Sequence, residues 1–265
     1  MRIFRERPHW HALALEYGLG FVAVWHLIED LQHGQWKVYS GDFYPWRQVL
    51  DVSTAHYALI ACIEAIALLL FFARIGTRWC AAIIAAALFV DNLGSWLNHR
   101  SLMAIEFFIV SLLPAPAPWR VASLKETRLY WNLDLIRYQL TLVYAAAALH
   151  KLNEEFLSGR TLHNLFWMTH HHGMKVYPVW LRATLDQPEV CQFLAWSTIA
   201  IELTLAIGLN FRKTAGPCLL LAVIFHIAMA VLMAYIKIFT TLVLISLIVF
   251  VSVHQGVTTS DQSGN

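Results

Sequence analysis

Apolar residues run in long stretches from residue 11 to residue 254, and most charged positions gather between those stretches. A helix that crosses a bilayer needs about 20 mostly apolar residues, roughly 17–25. Such runs occupy 11–28, 53–73, 79–97, 101–115, 134–152, 189–209, 215–235 and 238–254. The pattern predicts an all-α chain: a polytopic membrane helix bundle with about eight transmembrane spans and no sizeable soluble domain. The fourth run is short, and steep, re-entrant or partial insertion all stay open for it. Pro114, Pro116 and Pro118 end it, as proline does at a helix stop. After His254 the chain turns polar, and residues 256–265 read as a disordered tail.

Composition strengthens the membrane assignment. The 265 residues are 58% hydrophobic and 14% charged, with a mean hydropathy of +0.55. A soluble domain carries about 25% charged and about 45–50% apolar residues. A net charge of +2 offers no footing for nucleic acid. No short apolar stretch with a small-residue cleavage site precedes the first span, so no cleavable leader is expected. Cys62, Cys80, Cys191 and Cys218 all fall inside apolar runs without metal-ligand spacing, and no essential disulfide is expected.

Charge asymmetry sets an orientation. With a cytoplasmic N-terminus, the inner segments hold Arg2, Arg5, Arg7, Arg74, Arg78, Arg120, Lys125, Arg128, Arg212 and Lys213. The outer segments hold Lys37, Arg47, Arg100, Arg160, Lys175 and Arg182. The positive-inside rule favours that arrangement, as for a bacterial inner-membrane protein. The third span then ends outward at His99 and the fifth ends outward at Lys151, so candidate chemistry faces the periplasm or a lumen. Residues 153–188 form the main outer loop, where Leu165, Phe166, Trp167, Val176, Tyr177 and Trp180 suggest a stretch lying along the interface.

Polar residues within the apolar runs are the candidate chemistry, because lipid cannot satisfy them. The third span carries Asp91, Asn92, Ser95, Asn98 and His99 in one stripe. The stripe either hydrogen-bonds neighbouring helices together or lines a site. On the fifth span Tyr144, Ala147, Ala148 and Lys151 share a face. Lys151 either snorkels to the interface or, desolvated, serves as a general base. Glu202 and His226 lie mid-span in the sixth and seventh helices, and packed, neutral roles compete there with functional ones. His170, His171 and His172 with His163 suggest a metal, but consecutive helical histidines cannot all face one ion and nothing completes the set, so no metal is expected. His26, His56, His99, His150 and His226 show no pairing at comparable depth that would hold a haem.

Three stretches carry a family resemblance. Ser95-Trp96-Leu97-Asn98-His99-Arg100-Ser101-Leu102 resembles the Trp-Asn-Asn-His segment of vitamin K-dependent γ-glutamyl carboxylases. VYAAAALHKLNEEFLSG, from Val143 to Gly159, resembles their segment around a lysine. Glu202 through Phe225-His226 to Phe239 is similar to their later Phe-His region. The chain is thereby identified as resembling the horizontally transferred transmembrane domain (HTTM) proteins, with residues 1–255 as the membrane domain. Leu97 stands where the carboxylases have asparagine, and Phe156 stands where they have tryptophan.

The resemblance implies an integral membrane enzyme, a carboxylase-like lyase or monooxygenase dependent on a quinol. Its cofactor would be a reduced vitamin K or menaquinone-type hydroquinone drawn from the lipid, with dioxygen and carbon dioxide as co-substrates. Lys151 would be the base that starts a sequence ending in deprotonation of a weak carbon acid, such as a peptide glutamate. His99 would assist the carbanion or carbon dioxide step. Trp96, Asn98, Asp91, Tyr144, Glu202 and His226 would line the pocket. About eleven residues follow the last span, so a large lumenal portion that presents glutamates is not expected. The alternative is a non-carboxylating member that helps mature or export a small secreted peptide.

Overall fold

The computed structural model describes residues 6–33, 54–94, 98–113, 127–129, 131–171, 176–211, 213–233 and 236–251. The polar tail, the proline-rich stop after the fourth run, Ser95, Trp96, Leu97 and His172 lie outside the described residues, as do the side chains of His56 and Asn98. The chain divides into two compact units, residues 1–136 and 137–265.

The first unit is built from α1 (His9–His33), α2 (Thr54–Phe72), α3 (Thr77–Gly94) and α4 (Asn98–Ser111), with the first turns of α5 (Trp131–His150). A short antiparallel pair, β1 (Glu6–Pro8) with β2 (Thr127–Leu129), joins in the register Glu6↔Leu129 and Pro8↔Thr127. Leu15, Leu19, Phe71, Ile84, Leu88, Met103 and Phe107 fill its core, each almost fully buried. Long apolar side chains also point outward, among them Leu69 and Trp79 at 71% and 78% exposure. That is an inside-and-outside apolar pattern suited to lipid, not to water. The α2–α3 corner is tight, with Arg74 and Gly76 both at positive φ (60° and 57°). The Arg74 side chain is tied back to Glu16 on α1, which anchors that unusual backbone.

The second unit holds the remainder of α5 and then α6 (Glu154–Leu157), α7 (Arg160–His171), α8 (Val179–Leu185), α9 (Pro188–Gly208), α10 (Ala215–Leu232), α11 (Lys237–Ser246) and α12 (Ile248–Val251). The Asn153 side chain caps α6 by accepting from the Phe156 amide at 3.0 Å. Pro188 opens α9 at its first turn, where a missing N–H costs nothing. Gly159, at φ 80°, lets the α6–α7 corner touch α9: a Cβ there would sit 2.4 Å from the Gln192 backbone nitrogen. Phe156, Leu162, Phe166, Tyr177 and Leu185 bury against Cys191, Ala195 and Ile199 of α9. The outer segment therefore splits its large apolar side chains. Phe166 and Tyr177 turn inward, whereas Trp167, Val176 and Trp180 stay exposed.

A helix occupies each apolar run read from the sequence, and the last run breaks at Leu247 into α11 and α12. Among the described helices three are long and apolar enough to cross a membrane: Trp10–Gln32, Pro188–Gly208 and Ala215–Leu232. Ala58–Phe72 and Lys237–Val251 are apolar but shorter. The other runs are diluted by polar side chains: Arg78, Asp91 and Asn92 in α3; Arg100 and Glu106 in the 14-residue α4; Asn132, Asp134, Arg137 and Gln139 in α5.

Candidate functional site

In the second unit Lys151, Tyr144, Glu202 and His226, all expected site residues, come together on α5, α9 and α10. Lys151 sits one residue past the end of α5, so its side chain can fold back over the final turn. Its Nζ donates to both carboxylate oxygens of Glu202, at 2.7 and 2.9 Å. It also donates to the Ala147 carbonyl oxygen at 3.4 Å, and it lies 5.7 Å from the Phe156 ring centroid. Seven positions earlier, two helical turns down the same face, Tyr144 Oη is hydrogen-bonded to His226 Nε2 at 2.8 Å. The Phe225 and Phe239 rings flank the imidazole, with centroids 5.4 and 6.3 Å away.

Depth is graded across this group. One quarter of the Lys151 side chain is exposed, while Glu202, Tyr144 and His226 are all buried. The Tyr144 hydroxyl lies within electrostatic range of the Glu202 carboxylate, which places the two hydrogen-bonded pairs in one neighbourhood. His226 Nδ1 is fully buried and meets no partner among the described residues. A buried polar atom left in that condition is expensive unless something else engages it. The group thus offers a cation, a carboxylate, a phenol and an imidazole with one unengaged nitrogen, beside aromatic walls.

The first unit contains a second constellation, centred on a residue that the sequence reading placed among outer loop charges. Arg100 is instead fully buried. Its Nε donates to His26 Nε2 at 2.8 Å, and its Nη2 donates to Asp30 Oδ2 at 2.6 Å. Asp91 Oδ2 lies 3.0 Å from Nε. The physical reason is local: a guanidinium two residues into α4 faces acids on α1 and α3, and the ion pairs repay its removal from water. His26, Asp30 and Asp91 bring ligand atoms within 4.8 Å of one another, a grouping that suits a metal. The Arg100 guanidinium already supplies the positive charge among them.

Of the expected site residues in this unit, Asp91 and His99 have described side chains. Asp91 is committed to Arg100. His99 stands with its ring 5.3 Å from that of His26, edge to face. Asn92 donates to Ser101 Oγ at 2.9 Å, so part of the α3 polar stripe does hold helices together. His26 and Asp30 were overlooked as partners, although their i, i+4 spacing near the end of an apolar run was a legible signal. Among the other histidines, His171 Nδ1 donates to the Trp167 carbonyl at 3.0 Å and its ring stacks on that indole at 4.0 Å.

The HTTM domain model matches residues 9–254. The chain belongs to the HTTM family. No curated protein and no solved structure matches it. Membership of the HTTM family together with the apolar helices identifies a membrane protein.

Proposed function

We propose that this HTTM protein is a membrane enzyme of the carboxylase type, drawing a hydroquinone from the lipid and using dioxygen to deprotonate a weak carbon acid. The observation that carries the reading is the junction of Lys151 with Glu202 beside the Tyr144–His226 pair. Two of the three segments that resemble the carboxylases, 143–159 and 202–239, supply this grouping. A hydroquinone fits the donor set. Its ring suits the Phe225 and Phe239 walls, and its oxygens suit Tyr144, Lys151 and the unengaged His226 Nδ1. Bound there, it would supply the reducing power for oxygen chemistry, which an apolar enclosure protects from water.

In this reading the chain crosses the membrane about eight times, with its N-terminus inside and Lys151 toward the outer face. His99 takes the role that its motif implies, assistance at the carbanion or carbon dioxide step. Carbon dioxide addition to a peptide glutamate is the finest part of the proposal.

The test is purification in mild detergent followed by mass spectrometry of co-purified lipid. A bound menaquinone or ubiquinone is the expected result. Turnover of added hydroquinone should vanish in Lys151→Ala protein that still inserts. Absence of any quinone, with no turnover by the wild type, would leave the family's peptide-maturation reading in its place.

A further inference from the structure

The surroundings of Lys151 count its protons. An ammonium has three N–H bonds, and three acceptors meet Nζ: Glu202 Oε1 at 2.7 Å, Glu202 Oε2 at 2.9 Å and the Ala147 carbonyl oxygen at 3.4 Å. A neutral amine has two N–H bonds and a lone pair, and against an ionised, acceptor-only carboxylate the lone pair would face an oxygen with no proton to offer. The position adds to this. Lys151 follows the last residue of α5, where the final carbonyls present the negative end of the helix dipole. Glu202 is the opposite case. Its two oxygens have about four lone-pair sites, the ammonium takes one at each oxygen, and the rest are open to a new proton. The carboxylate is buried on α9.

We infer that Glu202 is the proton acceptor of this site and that Lys151 is the cation that remains behind. The inference rests on the proposed function, since the ligand is the hydroquinone, but it reassigns the base within that reading. In the step, one ligand O–H bond breaks and leaves its electron pair on the ligand oxygen. The proton forms a new O–H bond on Glu202. Lys151 keeps all three of its N–H bonds and turns from the neutralised carboxyl to the new oxyanion. Net charge is zero before and after, so no unpaired ion is created in a medium of low dielectric. Tyr144, on α5, lies within electrostatic range of this carboxylate and is hydrogen-bonded to His226 on α10.

The experiment uses the full chain in lipid nanodiscs with menadiol as the probe, under anaerobic conditions. Infrared difference spectra with and without menadiol read the carboxylic-acid carbonyl stretch. Tryptophan fluorescence reads binding separately. Wild type should gain the acid band on binding, and Glu202→Gln should bind menadiol without it. Glu202→Asp, which keeps a carboxylate, should shift the band instead of deleting it, which guards against a misfolded Gln variant. Lys151→Arg is decisive, because a guanidinium cannot give up its proton in a protein. Under this inference it keeps the band and, in a parallel assay with dioxygen, keeps turnover, whereas Glu202→Gln loses about a hundredfold or more in that turnover.

An acid band that survives in Glu202→Gln, or bound menadiol with no band in wild type, overturns the assignment and leaves the hydroquinone reading standing. Loss of band and turnover in folded Lys151→Arg also returns the base to Lys151. Failure of wild type to bind menadiol removes the hydroquinone reading itself, and this inference with it.

Discussion

Arg100 donates from Nη2 to Asp30 Oδ2 at 2.6 Å, a bond between residues 70 positions apart that ties the first turn of α4 to the last turns of α1. Asp91 on α3 reaches the same guanidinium, so one side chain joins three helices of the first unit. His99 is its immediate neighbour on the carboxylase-like segment, and its placement depends on where Arg100 is held.

Removing that guanidinium should therefore cost far more than an ordinary surface charge. Arg100→Ala leaves two partly buried acids without their cation, a loss of up to about 3–5 kcal/mol by comparison with broken buried pairs. Arg100→Lys keeps the charge but has no planar fork to serve Asp30 and His26 together, so an intermediate loss is expected. The check is the denaturation midpoint of each variant in detergent. An alanine variant as stable as wild type would mean that the ion pairs do not form.

The Tyr144–His226 bond predicts coupling, not just two separate losses. Tyr144→Phe keeps the ring but strands His226 Nε2 in the interior, which costs about 1–3 kcal/mol. Once His226 is replaced by phenylalanine, loss of the Tyr144 hydroxyl should cost much less. A double-mutant cycle measures the difference, and strictly additive effects would contradict the observed hydrogen bond.

Two glycines share a backbone conformation but not an environment, and this separates strain from contact. Gly76→Ala at φ 57° meets open space, so only the left-handed penalty applies, about 1–2 kcal/mol. Gly159→Ala at φ 80° adds a collision with the Gln192 backbone, which has no flexible side chain to yield. The second variant should be clearly less stable, and its α6–α8 segment should be cut faster in limited proteolysis. Equal losses at the two positions would show that the α6–α7 corner does not touch α9.

Much of this architecture was legible because apolar runs of span length have one structural outcome in lipid. α9 and α10 follow the runs 189–209 and 215–235 to within three residues at every end. Lys151, Glu202, Tyr144 and His226 stood out for a related reason, since a polar group amid apolar neighbours must find a partner. Their pairing did not stand out, because contact between α5 and α9 spans 51 positions and periodicity reports only the face of one helix. Arg100 was misread for a physical reason too. Its neighbours made it look like a loop cation, and only the acids on two other helices bury it. The β1–β2 pair, three residues a side, is too short to leave an alternating pattern.

The outer segment makes a prediction about lipid. α8 ends three residues before Pro188 begins the membrane-length helix α9, which holds α8 close to one end of a span. Val176, Val179 and Trp180 are 89%, 86% and 70% exposed there, beside the exposed cation Arg182. Exposed valines and an indole with a cation suit the headgroup level, where aromatic rings and basic side chains meet both phosphate and acyl chain. A bimane label at Trp180→Cys, in a background with the exposed Cys62 changed to serine, should be quenched by headgroup nitroxide lipids more strongly than by mid-chain ones. A label at Phe193→Cys, on the exposed face of α9 beyond its first turn, should respond relatively more to the mid-chain probe. Insensitivity of the Trp180 position to both lipids, with Phe193 still quenched, would put α8 in water and leave its apolar face to a protein partner.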